Sequence, residues 1–299
     1  MFKSNPIRTD RNVTYIIKIA GYSCILFLAL IFFFLLRNGI PALKDTGLAK
    51  LFQTIWYPTE GYFGILPLLF GSLLVTFTAV LIALPFGVGT AVFISEIAPH
   101  AMKEFLKPLV EILAGMPSVV LGFIGIVVLV PFMQKTFNLP TGLAALTGAI
   151  LLGLIAIPTI VSIAEDALNA VPQSYRQAAI AMGATRWQTI WGVTVPAART
   201  GILTAIMLGI GRTLGETMAV MMVTGNAAVM PEGLNALIQP VRTMTATIAS
   251  EMGEVATGSA HYAVLFFIGI VLFIFSLVIN IFASWVSTRG RKRSERILS

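Results

Sequence analysis

An arginine and a glutamate four residues apart, Arg212 and Glu216, interrupt the otherwise apolar run LGIGRTLGETMAV from Leu208 to Val220. On a helix the two lie about 40° apart, on one face and within pairing reach. An arginine near the middle of a membrane costs about 2.5–3.5 kcal/mol on insertion scales, so its charge must be compensated. One compensation is a self-neutralising salt bridge that fixes helix packing. The other is a water-filled path, in which the planar guanidinium offers two donors at once to an oxyanion. In that case Glu216 holds the guanidinium and keeps the site from trapping the anion, because a conducting site must also release. Thr213 and Thr217 stand beside the pair, and their hydroxyls serve either the anion or a backbone carbonyl one turn back.

A second place with polar potential is Gly115-Met116-Pro117-Ser118. It is either an opened helix that lends Ser118 to the path, as broken helices do in transporters, or a simple proline kink. Arg242 is read as attracting anions, contacting a docked protein, or merely solvated. The chain has no G-x-x-x-x-G-K-[ST] phosphate loop and no H-E-x-x-H, so neither an ATPase site nor a histidine metal site of those kinds is encoded. No catalytic residue, metal site or cofactor is expected in this chain. Cys24 is a lone cysteine, which excludes an internal disulfide. Gly211 and Gly215 form G-x-x-x-G, and Ala205 with Gly209 repeats that spacing, so the span that holds them is expected to be central in a bundle.

The elements that must position these residues are legible from composition. Of 299 residues, 57% are hydrophobic and 11% charged, with a mean hydropathy of +0.90, whereas soluble domains carry about 25% charge. The chain is an all-α integral membrane protein. Six stretches are long and apolar enough to span, near 13–36, 65–97, 109–133, 141–164, 200–224 and 262–286. The second is expected to break near Leu84-Pro85-Phe86-Gly87. The division is an N-terminal part (1–64: cytoplasmic segment, first span, external loop), a five-span core (65–286), and the basic tail RGRKRSER within 287–299. With both termini placed in the cytoplasm, fourteen of the twenty Lys and Arg residues fall inside and five outside, Arg212 being the twentieth. The positive-inside rule favours that orientation. The net charge of +7 then reads as topology and attraction to anionic membrane lipid, not as a nucleic-acid surface.

Within the core, an external segment covers 225–261 and a cytoplasmic segment 165–199. The latter carries its own signals. Pro172 suits a helix start, Gly183 a left-handed stop, Thr185 to Gln188 a capping box for a second helix, and Pro196 an end or kink just before the membrane. Taken alone, it is either an amphipathic element resting on lipid or a docking knob.

Here the residues resemble a known family. Gln177-Ala178-Ala179, three residues, Gly183, nine residues, Val193, and Val195-Pro196 are similar to the E-A-A-x3-G-x9-I-x-L-P motif of the permease subunits of ABC importers, with Gln177 in place of the glutamate. FISEIAP (93–99), KPLVEILAGMPSVVLGFIG (107–125), GRTLGETMAVMMVTGN (211–226) and TMTATIASEMGE (243–254) resemble the phosphate-importing branch. The resemblance implies the type I, MetI-like permease fold, and a coupling helix at which Arg176, Gln177, Ala178, Ala179, Gly183 and Ala184 meet an ATPase subunit. It implies a substrate path at Arg212, Glu216, Thr213, Thr217 and Ser118. It also implies a second permease subunit (less readily a second copy of this chain), a separate ATPase dimer that binds ATP and Mg, and a periplasmic or surface phosphate-binding protein. The rival readings are a permease for sulfate or molybdate and a non-transporting scaffold or signalling subunit.

Overall fold

The structure, a computed structural model, describes the backbone of residues 6–298 apart from residue 234. It describes the side chains of residues 13–285 apart from 45, 234, 283 and 284. The side chains of Lys3, Arg8, Arg11 and the basic tail, on which much of the orientation argument rests, lie outside that set.

Six helices are long and apolar enough to cross a membrane. Helix α1 (Pro6–Asp45) carries the first span and α2 (Leu66–Val92), extended by a wide turn at Phe93–Ile97, the second. A further helix, α3 (His100–Gly115), precedes the third span, α4 (Ser118–Phe137). The fourth is α5 (Ala145–Asn169). The short α6 (Gln173–Ala181) leads to the fifth, α7 (Arg186–Gly215), followed by α8 (Met218–Val223) and α9 (Met244–Glu251). The sixth begins α10 (Ala260–Leu298). The strands present are a two-residue antiparallel pair, Trp56–Tyr57 with Tyr62–Phe63, in the loop after α1.

Several boundaries differ from expectation. Pro85 lies inside an unbroken α2, because neighbouring turns and packing tolerate a proline within a membrane helix. The third span begins at Ser118, not near Leu109. Met116 and Pro117 are extended (ψ 136° and 133°), so the chain is interrupted there and not simply kinked. Pro196 does not end the helix that starts at Arg186, which runs on into the fifth span. Pro196 offers no N–H to the turn before it, and the turn at Ile190–Thr194 is widened just ahead of it.

The most enclosed span is α5: 61% of its most apolar window is buried, against 28% for α7, which packs on α5, α10 and α2. It packs between α2 and α7. Ile160 of α5 is the wedge. A Cβ on Gly87 of α2 would come within 2.8 Å of it, and one on Gly209 of α7 within 2.6 Å. Ala205, one turn before Gly209, is fully buried. The Ala205/Gly209 spacing therefore does the packing expected of small residues in membranes. Gly211 and Gly215 do not, since added methyls would meet nothing within 4 Å. Helix α1 packs chiefly along α10, with Phe32 stacked on Phe273 at 4.9 Å. The segment 225–261 between the fifth and sixth spans folds back into the bundle. Val241, Met244 and Ala246 are buried, and Met244 donates its backbone N–H to Ser72 Oγ of α2 at 2.8 Å.

Candidate functional site

The fifth span ends in the middle of the motif that drew attention to it. Helix α7 stops at Gly215, Glu216 is extended (φ −68°, ψ 130°), Thr217 is non-helical, and α8 restarts at Met218. The helical spacing that would set Arg212 against Glu216 is thereby lost, and no ion pair to Arg212 forms among the described residues. The self-neutralising bridge, one of the two compensations read from the spacing, is absent because the backbone turns between its partners, and for the same reason Glu216 does not hold the guanidinium as the other reading expected.

Arg212, half-buried, instead spans two neighbours. Nη1 donates to Thr159 Oγ1 of α5 at 3.1 Å and Nη2 to the carbonyl of Ala114 at 3.2 Å. Ala114 belongs to the last turn of α3, whose terminal carbonyls lack helical partners and carry partial negative charge. The arginine thus joins the fifth span to the fourth and to the break before the third. Both acceptors are neutral, and two of the five guanidinium donors are used in this way.

Glu216 lines a crevice with Ser72, Thr76, Thr213, Thr243 and Thr245. Its backbone carbonyl accepts from Thr245 Oγ1 at 3.2 Å. The crevice volume of about 10 Å³ holds at most about one water molecule, so this conformation is closed to an oxyanion there. Thr213 Oγ1 donates to the Ile210 carbonyl at 2.8 Å and Thr217 Oγ1 to that of Gly215 at 3.3 Å. Both hydroxyls thus take the backbone alternative. Ser118, half-buried, is the first residue of α4, directly after the break. Ser72, Thr243 and Thr245 were not picked out as site residues from the sequence; the only signal was a run of hydroxyls after Arg242.

At the far end of the bundle, α6 begins after Pro172, Gly183 turns the chain at φ +83°, and Thr185 with Gln188 forms a complete capping box. Gln177, Ala178 and Gly183 are exposed, and Ala179 and Ala184 half-buried. Beside them Ile180 and Met182 stand 59% and 88% exposed. Arg176 is unlike the rest of the motif. Its guanidinium turns inward and grips Glu96 through Nη2 at 2.6 Å and Nε at 3.3 Å. Arg242 likewise turns out to be tied: it pairs with Glu251 at 2.6 Å, and Glu251 also meets His261 at 2.8 Å and accepts from Trp56 Nε1 at 3.2 Å. The expectation that Arg242 meets anions, a docked protein or solvent gives way to a mostly buried ion pair.

A multi-helix membrane bundle with an interrupted charged span and a small helical knob at one end defines a membrane transport component. The chain belongs to the family of binding-protein-dependent transport system inner membrane components, whose model matches residues 83–292. It is 43% identical over 238 residues to the probable ABC transporter permease protein YqgH of Bacillus subtilis, covering 79% of this chain and 76% of that one. It is 34% identical over 274 residues to the phosphate transport system permease protein PstC of Mesorhizobium japonicum, covering 85% and 83%. Among solved structures, an inward-facing MetNI methionine ABC transporter matches with a TM-score of 0.61 at 18% identity over 79% of this chain and 99% of that one. A bacterial alginate ABC transporter matches with a TM-score of 0.57 at 16% identity over 93% and 99%. The fold is that of type I ABC importer permeases.

Proposed function

We propose that the chain forms half of the translocation path of an ATP-driven importer of inorganic phosphate. It sits in the cytoplasmic (inner) membrane with both termini in the cytoplasm. The observation that carries the phosphate site is Arg212, a cation in an apolar span bound to two neutral acceptors and to no carboxylate. Its charge is left for an anion, and its fork suits two oxygens of one phosphate. The relatives named as phosphate transport permeases support the same substrate.

In this reading Arg212 meets phosphate where α3 and α4 part. Glu216, Thr213, Thr217 and Ser118 border the path, and the negative charge of Glu216 shortens the stay of the anion there. A PstS-like binding protein delivers phosphate from outside, and a second, PstA-like permease subunit supplies the other half of the path. A PstB-like ATPase dimer binds ATP and Mg and docks on Gln177, Ala178, Ala179, Gly183 and Ala184, with Ile180 and Met182 as apolar anchors. Closing and opening of that dimer would turn the crevice at Glu216 from its closed form to an open one by alternating access. This chain itself performs no covalent chemistry.

The test is phosphate uptake by Arg212→Lys and Glu216→Gln variants, with assembly of the complex measured separately and sulfate as competitor. Loss of uptake in assembled Arg212→Lys complexes, with sulfate failing to compete, is expected. Normal uptake in both variants sinks the site, and competition by sulfate transfers it to another oxyanion.

A further inference from the structure

We propose that Glu96 is the positioning residue that makes the second span move with the cytoplasmic knob; the inference rests on the knob being the ATPase dock. Chain connectivity joins the knob to only two spans. Helix α6 follows α5 directly, and the second knob helix is the start of α7. Helix α2 has no such link, yet it supplies Ser72 and Thr76 to the wall of the crevice, opposite Thr213 of α7. A knob that moved only α5 and α7 would carry that wall through the packing of α2 on α5 alone.

Glu96 adds a direct tie between that span and the knob. It sits in the widened turn Phe93–Ile97 that ends the second span, a kind of turn often found at functional places. Its carboxylate takes the Arg176 fork from one side of the Gly183 corner. From the other side, Arg186 donates to the carbonyls of Glu96 and, at 3.5 Å, Ile97. Arg176 also donates to the carbonyls of Leu168 and Val171, at 2.9 and 2.6 Å, where the fourth span ends. Each arginine therefore meets carbonyls at a helix end, where partial negative charge gathers; that of Leu168 also accepts the Val171 N–H. The Arg176 and Glu96 side chains are 14% and 10% exposed, so water weakens this pair little. Ser95 extends the junction by donating to Asn169 Oδ1 of α5 at 2.8 Å and by accepting Lys103 of α3 on its carbonyl at 2.6 Å. These bonds join residues 80 and 90 positions apart into one unit of knob, second span and fourth span.

The test uses the whole complex, purified through a tag on this chain and reconstituted in liposomes, with phosphate uptake and ATP hydrolysis read together. Glu96→Gln and Arg176→Gln should keep the co-purifying ATPase and its hydrolysis while phosphate moved per ATP falls about tenfold. The double variant should lose no more than the worse single, because both remove the same contact. If the variants only lower the amount of complex and phosphate per ATP stays native, the role is structural and the proposal is overturned. Where Glu96→Gln does not assemble, Glu96→Asp keeps the charge and shortens the reach. An intermediate ratio is expected from it, and a native one overturns the latch. A native complex that hydrolyses ATP and moves no phosphate refutes the functional reading itself, whereas native transport with unchanged ratios in the variants refutes the latch alone.

Discussion

Two arginines in this molecule face opposite fates. Arg242, in the segment between the fifth and sixth spans, is locked to Glu251 at 2.6 Å inside a cluster that includes His261 and Trp56. Arg212, in a membrane span, has two neutral acceptors at 3.1 and 3.2 Å, while the nearest carboxylate in sequence has turned away across a helix break. The cheaper place to leave a cation unneutralised is near water, yet the chain does the reverse. A charge that serves stability is cancelled locally, whereas a charge that serves an anionic solute must stay available, and the membrane raises the cost of keeping it so.

The contrast is open to attack by substitution. The largest loss of stability should follow Glu251→Ala, which strands Arg242 in a mostly buried place at a cost of about 3–5 kcal/mol. A thermal melt in detergent reads this, and uptake per folded molecule should stay near native. Arg212→Gln should do the opposite, lowering phosphate uptake about 10–100-fold, the equivalent of a charged hydrogen bond, with a melt close to native. If it melts like Glu251→Ala and still transports, Arg212 belongs with Arg242 and the distinction collapses. Next come the glycines around it. Gly209→Ala drives a methyl into Ile160 and should cost about 1–3 kcal/mol by overpacking. Gly211→Ala meets no atom of this chain and should leave the melt of the isolated subunit unchanged. Smallest is Thr213→Val. Its hydroxyl already bonds to the Ile210 carbonyl, so uptake within about twofold of native is expected. A larger drop in uptake would place that hydroxyl on the solute.

The glycine pairs show how far spacing alone can lead. Both pairs have the four-residue period that lets helices approach, and nothing local separates Ala205 and Gly209, which pack, from Gly211 and Gly215, which face open space. Which face of a helix meets a neighbour depends on the neighbours. For the same reason α5, which carries no charged motif of its own within the membrane, turned out to be the enclosed span. The knob was better legible. Its proline start, glycine corner and capping box each act within a few residues, and all three occur where the sequence put them. What stayed hidden was its attachment, because Glu96 lies 80 residues before Arg176 and no local signal joins them.

By itself, then, the sequence determined the solvent, the number of spans and the turns of the knob. These follow from apolar length and from the backbone preferences of proline and glycine, which are properties of short segments. Only the tertiary structure decided the partners of the charges. Whether Arg212 met Glu216, and whether Arg176 turned outward or toward Glu96, depended on where one helix ended and which distant helix end lay beside it. A single backbone turn at Glu216 reverses the first outcome, because side-chain pairing on a helix holds only while the helix continues.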